Sequence, residues 1–178
     1  MVSPVLIIVG AIPVIFAILI VIPMLNPSDI PIGAVDSSDV LSIEYSKQQM
    51  LKVSFGVTER IGAERTELLS IESDGDLRYS VTESGYPQPD KRSKIDEDQL
   101  RKLTALIKET GFMEIPIESF PIKEDVTEFN KFGIKVTLNG KTRHIQWPDQ
   151  DATDKFIPPI ISAIQNELEG IINQTIIK

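Results

Sequence analysis

From Val5 to Leu25 every position is apolar or carries no charge, and nothing acidic appears before Asp29 or basic before Lys47. About 20 such residues, at 1.5 Å rise each, cross a hydrocarbon core of about 30 Å. The pattern predicts a single membrane-spanning helix with no polar stripe. A secretory signal would need a basic first segment, a short apolar core and a small-x-small cleavage site. Met1 to Pro4 has no Lys or Arg, the run is too long, and residues 22–26 read Ile-Pro-Met-Leu-Asn. A retained anchor over 1–26 is expected. A Pro-, Ser- and Asp-rich linker follows over 27–40, and then an extracytoplasmic domain over 41–178.

Past the linker the periodicity changes. Leu41, Ile43 and Tyr45 fit a short strand, and Leu51, Val53, Phe55 and Val57 fit another. The segments 66–72 and 76–82 flank Ser73-Asp74-Gly75. A two-residue turn there would put the apolar sets on opposite faces. A three-residue loop with left-handed Gly75 pairs Ile71 with Leu77 and Leu69 with Tyr79, and burial selects that register. Asp96 reads as a helix N-cap with Gln99 three residues on, and Ile95 and Leu100 stand at the staple positions. Leu100, Leu103, Leu106 and Ile107 make the buried stripe, and Gly111-Phe112 reads as a left-handed C-cap with its apolar contact.

Phe132 to Leu138 alternates without a break and ends at Asn139-Gly140, the strongest hairpin signal in the chain. The predicted register pairs Leu138 with Lys141, Val136 with Arg143, Ile134 with Ile145 and Phe132 with Trp147, with Arg143 reaching the rim. A closing helix begins near Pro158 and carries Ile160, Ile161, Ile164, Leu168, Ile171, Ile172 and Ile176 on one face. The expected fold class is α+β: one N-terminal transmembrane helix, then an antiparallel sheet of hairpins covered on one face by two helices.

Composition refines this. Ser3, Gly10 and Ala17 recur every seven residues in the apolar run and form a candidate helix-packing seam, while Pro13 predicts a kink. No Lys or Arg flanks the run, so only the α-amino group orients it, with the N-terminus cytoplasmic and the body outside. The absence of cysteine suits an extracytoplasmic domain. The net charge of -8 argues against nucleic acid as a partner.

The chemistry-bearing residues do not form a catalytic pattern. With no thiol, cysteine nucleophiles and thiolate metal sites are excluded. His144, the single histidine, falls on the polar face of the last hairpin opposite Lys135 and reads as a solvated strand residue. Asp149, Asp151 and Asp154 mimic the start of a calcium loop, but position six is Asp154 where Gly is needed and position twelve is Ile160 where Glu is needed. Glu118, Glu124 and Asp125 lie in an acidic loop between Glu114 and Glu128. Asp90, Lys91, Arg92 and Lys94 make a small, mainly basic cluster that reads as an exposed turn. Asn173-Gln174-Thr175 fits the glycosylation acceptor pattern. No catalytic, cofactor or metal residue is assigned.

Two resemblances bear on function. The order of a first strand ending near Gly56, then IDEDQLRKLTALIKETGFMEIP, then FGIKVTLNGKTRHIQWPD and a closing helix resembles the emfourin family, small inhibitors of thermolysin-like metalloproteases. The similarity spans roughly 50–172 and implies a tethered binding module. The family's glycine-rich stretch is reduced here to Gly56 and Gly62, an Asp74-Gly75 hairpin is added, and no inhibitory residue carries over. An Ile-rich, Cys-free, acidic chain with one N-terminal anchor also resembles secreted-side proteins of ammonia-oxidising archaea. The membrane copper monooxygenase of those organisms has small single-pass accessory subunits. The expected function is a non-enzymatic accessory subunit of a membrane complex, with the lipid bilayer and a polytopic membrane protein as partners. An extracytoplasmic binding module such as a metalloprotease inhibitor is the alternative.

Overall fold

The computed structural model describes residues 35–56, 58–116 and 118–176. Strands β1 (Leu41–Phe55), β2 (Thr58–Ile71), β3 (Asp76–Glu83), β4 (Tyr86–Pro87) and β5 (Lys91–Lys94) precede helix α1 (Glu97–Glu109). Strands β6 (Glu128–Leu138) and β7 (Lys141–Pro148) and helix α2 (Pro159–Ile171) complete the chain order. Among the described residues the strands form one antiparallel sheet in the order β4-β3-β2-β1-β6-β7, with β5 also paired to β3.

The membrane-spanning part of the expected fold class is corrected. Among the described residues no helix is long and apolar enough to cross a membrane. Helices α1 and α2 have 13 residues each and bury one face only. At 1.5 Å per residue each spans about 20 Å, short of a hydrocarbon core of about 30 Å. The apolar run, its seam at Ser3, Gly10 and Ala17, and Pro13 lie outside the described residues.

The sheet buries one face under the helices. Leu41, Ile43 and Tyr45 of β1 lie beside Leu69 and Ile71 of β2 and Ile134 and Val136 of β6, and all are nearly inaccessible. Leu103, Leu106 and Ile107 of α1, with Ile161, Ile164, Leu168 and Ile171 of α2, close the core. The two segments read as separate strands are one, because Lys47, Gln48 and Gln49 pair on both sides, with β2 and with β6. A bulge at Glu64 in β2 takes up the shift between Gln49↔Arg65 and Met50↔Ala63.

Both hairpin registers follow the sequence reading. Ile71 pairs with Leu77 and Leu69 with Tyr79, and Gly75 is left-handed at φ 83°. Phe132 pairs with Trp147, their rings stacked with centroids 5.8 Å apart. Arg143 faces the helices and donates from Nε and Nη2 to the Met113 carbonyl at 3.0 and 2.8 Å, so a charge on the core side finds an acceptor at the rim. Asp96 caps α1 through the Gln99 amide at 2.7 Å, and Gly111 takes the left-handed C-terminal position.

Polar bolts fasten helix to sheet and strand to strand. The Tyr45 hydroxyl donates to Glu169 of α2 at 2.7 Å, and Tyr79 donates to Glu67 at 2.8 Å. Burial and then the neighbouring carboxylate raise both phenols, Tyr79 to about 12.

The end of the expected linker is pinned as well. Asp39 accepts from Lys108 of α1 at 2.8 Å and from the Asn139 side chain at 2.7 Å. Asn139 exchanges two further bonds with Val40. The Lys108 hydrogen bond first, then Asn139, pulls the Asp39 carboxyl down to about 2. Because the folded value lies below the unfolded one, this stabilisation is present above about pH 4 and is lost as the pH falls through about 2. Asp39→Asn is expected to lose about 1–2 kcal/mol at neutral pH, after discounting for the partly exposed Lys108. Urea titrations of both proteins should differ at about pH 7 and converge near pH 2. A constant gap across that range would show that the charge is not what Asp39 contributes.

Candidate functional site

Alternation leaves the second face of the sheet polar. Ser42, Glu44, Ser46 and Gln48 of β1 share it with Ser70, Arg78, Lys135 and His144 on neighbouring strands. Lys135 pairs with Glu44 at 2.7 Å, and Arg78 with Asp90. Gly133 sits in the middle of this face. A Cβ there would lie 2.7 Å from the Ser46 hydroxyl and 3.6 Å from His144 Nε2, so its bare backbone lets those side chains converge.

At one end the same face turns apolar. Met50 stands opposite Phe129, and Lys52 opposite Ile61. Phe129 is 7% exposed although it points away from the helices. The segment from Glu118 to Ile122 covers it, bringing Phe120 and Ile122 over the sheet end. Three contacts hold that segment in place: Lys123 N to the Ala152 carbonyl, Lys123 Nζ to the Asp151 carbonyl, and Lys52 N to the Thr127 carbonyl. Lys155 reaches Glu118 at 3.4 Å and lies over the Phe120 ring.

The result is a groove of about 470 Å³, within the size range of small-molecule sites. Its floor is apolar, from Met50, Ile61, Phe120 and Phe129. Its polar lining is Lys131, His144, Gln146, Glu118 and Ser119, and Trp147 and Pro148 also line it. Gln146 Nε2 and His144 Nε2 are 3.3 Å apart. Lys131 is half-buried and has no ion-pair or hydrogen-bond partner among the described residues. This arrangement can bind; it offers no nucleophile paired with a base.

The other singled-out residues are dispersed. His144 is exposed and opposite Lys135, as the register requires, but it also faces the groove. Asp149 accepts from the Asn130 amide at 2.6 Å, and Asp154 pairs with Lys123, so these acids fasten the end of β7 to its surroundings. Among the described residues no group of three or more His, Asp or Glu could hold a metal ion. Lys91, Arg92 and Lys94 form strand β5 rather than a loop, with Lys94 paired to Asp76. Asn173 is exposed in a π-helical turn, Ile172–Ile176, after α2. The groove went unread because its walls come from distant segments. Phe120 and Ile122, two apolar residues inside an acidic loop, were the available signal.

No protein-family model matches the chain and no curated protein matches it, so the comparisons lend no support to either resemblance.

Proposed function

We propose that the chain is a non-enzymatic accessory subunit of a membrane protein complex, and that the free end of the β1–β2 hairpin docks on the partner. One observation carries the docking element. Strand β6 stops pairing with β1 at Leu51, and β3 stops pairing with β2 at Arg65. From Val53↔Arg60 to Phe55↔Thr58 the hairpin pairs only with itself among the described residues. Val53, 38% exposed, sits on this projection. A two-stranded ribbon alone is marginal in water, and a projection with an exposed valine suits burial against another subunit. The membrane part of the reading is supported by the uncharged sequence from Val5 to Leu25, and the extracytoplasmic placement of the body by the absence of cysteine.

Gentle solubilisation of native membranes, a native gel and mass spectrometry test the reading. Co-migration with a larger complex is expected. Val53→Asp should release the chain to monomer size while its melting behaviour stays within about 0.5 kcal/mol of the parent. Wild-type chain migrating alone would overturn the subunit role. The groove favours a second reading, an extracytoplasmic binding module that acts alone. That reading predicts a free chain which still captures its target.

A further inference from the structure

We infer that the groove beside β7 is a binding site for a small carboxylate with an apolar body. The inference stands on the groove alone and does not depend on the accessory-subunit reading.

Charge complementarity selects the anion. Most lysines of the body have partners: Lys94 has Asp76, Lys108 has Asp39, Lys123 has Asp154, Lys135 has Glu44 and Lys155 has Glu118. Lys102 and Lys141 have none among the described residues, but both are exposed and water serves them. Lys131 is different. It is half-buried between Gln48 and Pro148 in the sheet register, at the wall of an apolar groove, with no carboxylate of the described residues on it. Glu118, the acid in the lining, is already engaged by Lys155. A half-buried ammonium with no counter-ion among the described residues is completed by an anionic ligand, and Gln146 beside it can donate to a second carboxylate oxygen.

The floor selects the apolar body. Met50, Ile61, Phe120 and Phe129 offer aliphatic and aromatic surface on a sheet face that is otherwise mainly polar. An apolar cavity lined by a few convergent polar groups is the usual make-up of a small-ligand site. A large or multiply charged anion would find one cation and a hydrophobic floor. A monocarboxylate with a short hydrocarbon or phenyl body fits both halves.

The Trp147 ring stacks on Phe132 on the helix side of the sheet and is 2% exposed, so binding in the groove is followed by calorimetry rather than by its emission. The full-length protein would be titrated with 4-phenylbutyrate, 4-phenylbutanol, 4-phenylbutylamine and butyrate in an isothermal calorimeter. The expected order places 4-phenylbutyrate about tenfold tighter than the alcohol, with the amine and butyrate weaker still. Lys131→Gln should erase the preference for acid over alcohol while leaving alcohol binding in place. Retained alcohol binding shows that this variant is folded, and Lys131→Arg should keep the preference. Equal affinity for acid, alcohol and amine would overturn the inference. So would the absence of binding heat with all of them, or an unchanged preference in Lys131→Gln.

Discussion

Phe112→Ala is expected to destabilise the body by about 3–5 kcal/mol, the largest effect of any single truncation considered. Phe112 is 0% exposed and begins the short 3-10 turn after α1. Left-handed Gly111 reverses the chain there and delivers the ring into the core. The next residue, Met113, offers the carbonyl that both Arg143 donors use. Losing the ring therefore opens a cavity and loosens the turn that satisfies a charge on the core side of β7. Denaturant unfolding should show the midpoint fall with little change in slope. Phe156→Ala is the control: that residue is 74% exposed, and its loss should register within about 0.5 kcal/mol. Similar values for the two would mean that the Phe112 site collapses without a cavity.

Gly75→Ala is expected to lose about 2–4 kcal/mol, from two separable causes. Gly75 has φ 83°, which alone costs an alanine about 1–2 kcal/mol. In addition, an added Cβ would sit 2.8 Å from the carbonyl oxygen of Ile95. That oxygen is backbone and cannot rotate away. The same two residues share the bond from Ile95 N to the Gly75 carbonyl at 3.0 Å, which ties β5 and the start of α1 to the β2–β3 turn. Gly140 isolates the first cause. Its φ is 80°, but nothing lies within 4 Å of its Cβ position. Gly140→Ala should thus carry the conformational part only. If the two variants unfold alike, the Ile95 carbonyl yields freely and the close approach is without energetic consequence.

What the sequence disclosed was local. The Asn139-Gly140 turn set the β6–β7 register because a two-residue turn leaves no freedom once one face must be buried. Burial chose among the Asp74-Gly75 turns in the same way, and Asp96 and Gly111 marked the ends of α1 because caps act within one turn. What stayed hidden was non-local. Lys47, Gln48 and Gln49 look like a break between two strands, yet β2 and β6 hold them on either side, and only the tertiary fold supplies those neighbours. Strand β5 reads as charged loop because its four residues are polar; it is an edge strand that depends on β3. The groove escaped for the same reason. Met50, Phe120 and Phe129 are unremarkable alone and meet only when the acidic loop folds across the sheet end. The expected membrane span belongs to a different level, falling on residues that the described fold does not include.

The position of β1 between β2 and β6 has a consequence for synthesis of the chain. Its first edge is satisfied by its immediate successor, but its second waits for residues 128–138, with Leu41 finding Leu138 and Leu51 finding Glu128. Roughly 80 to 100 residues separate these partners, which corresponds to about 5–20 s of translation at the usual elongation rates. Through that interval a nascent meander of three long strands presents a bare central edge with Ile43 and Tyr45 beside it. Emerging chains on neighbouring ribosomes carry the same edge at the same stage, so strand exchange between them competes with completion of the sheet. Folding yield in the cell is then set less by the stability of the finished body than by what shields β1 until β6 arrives.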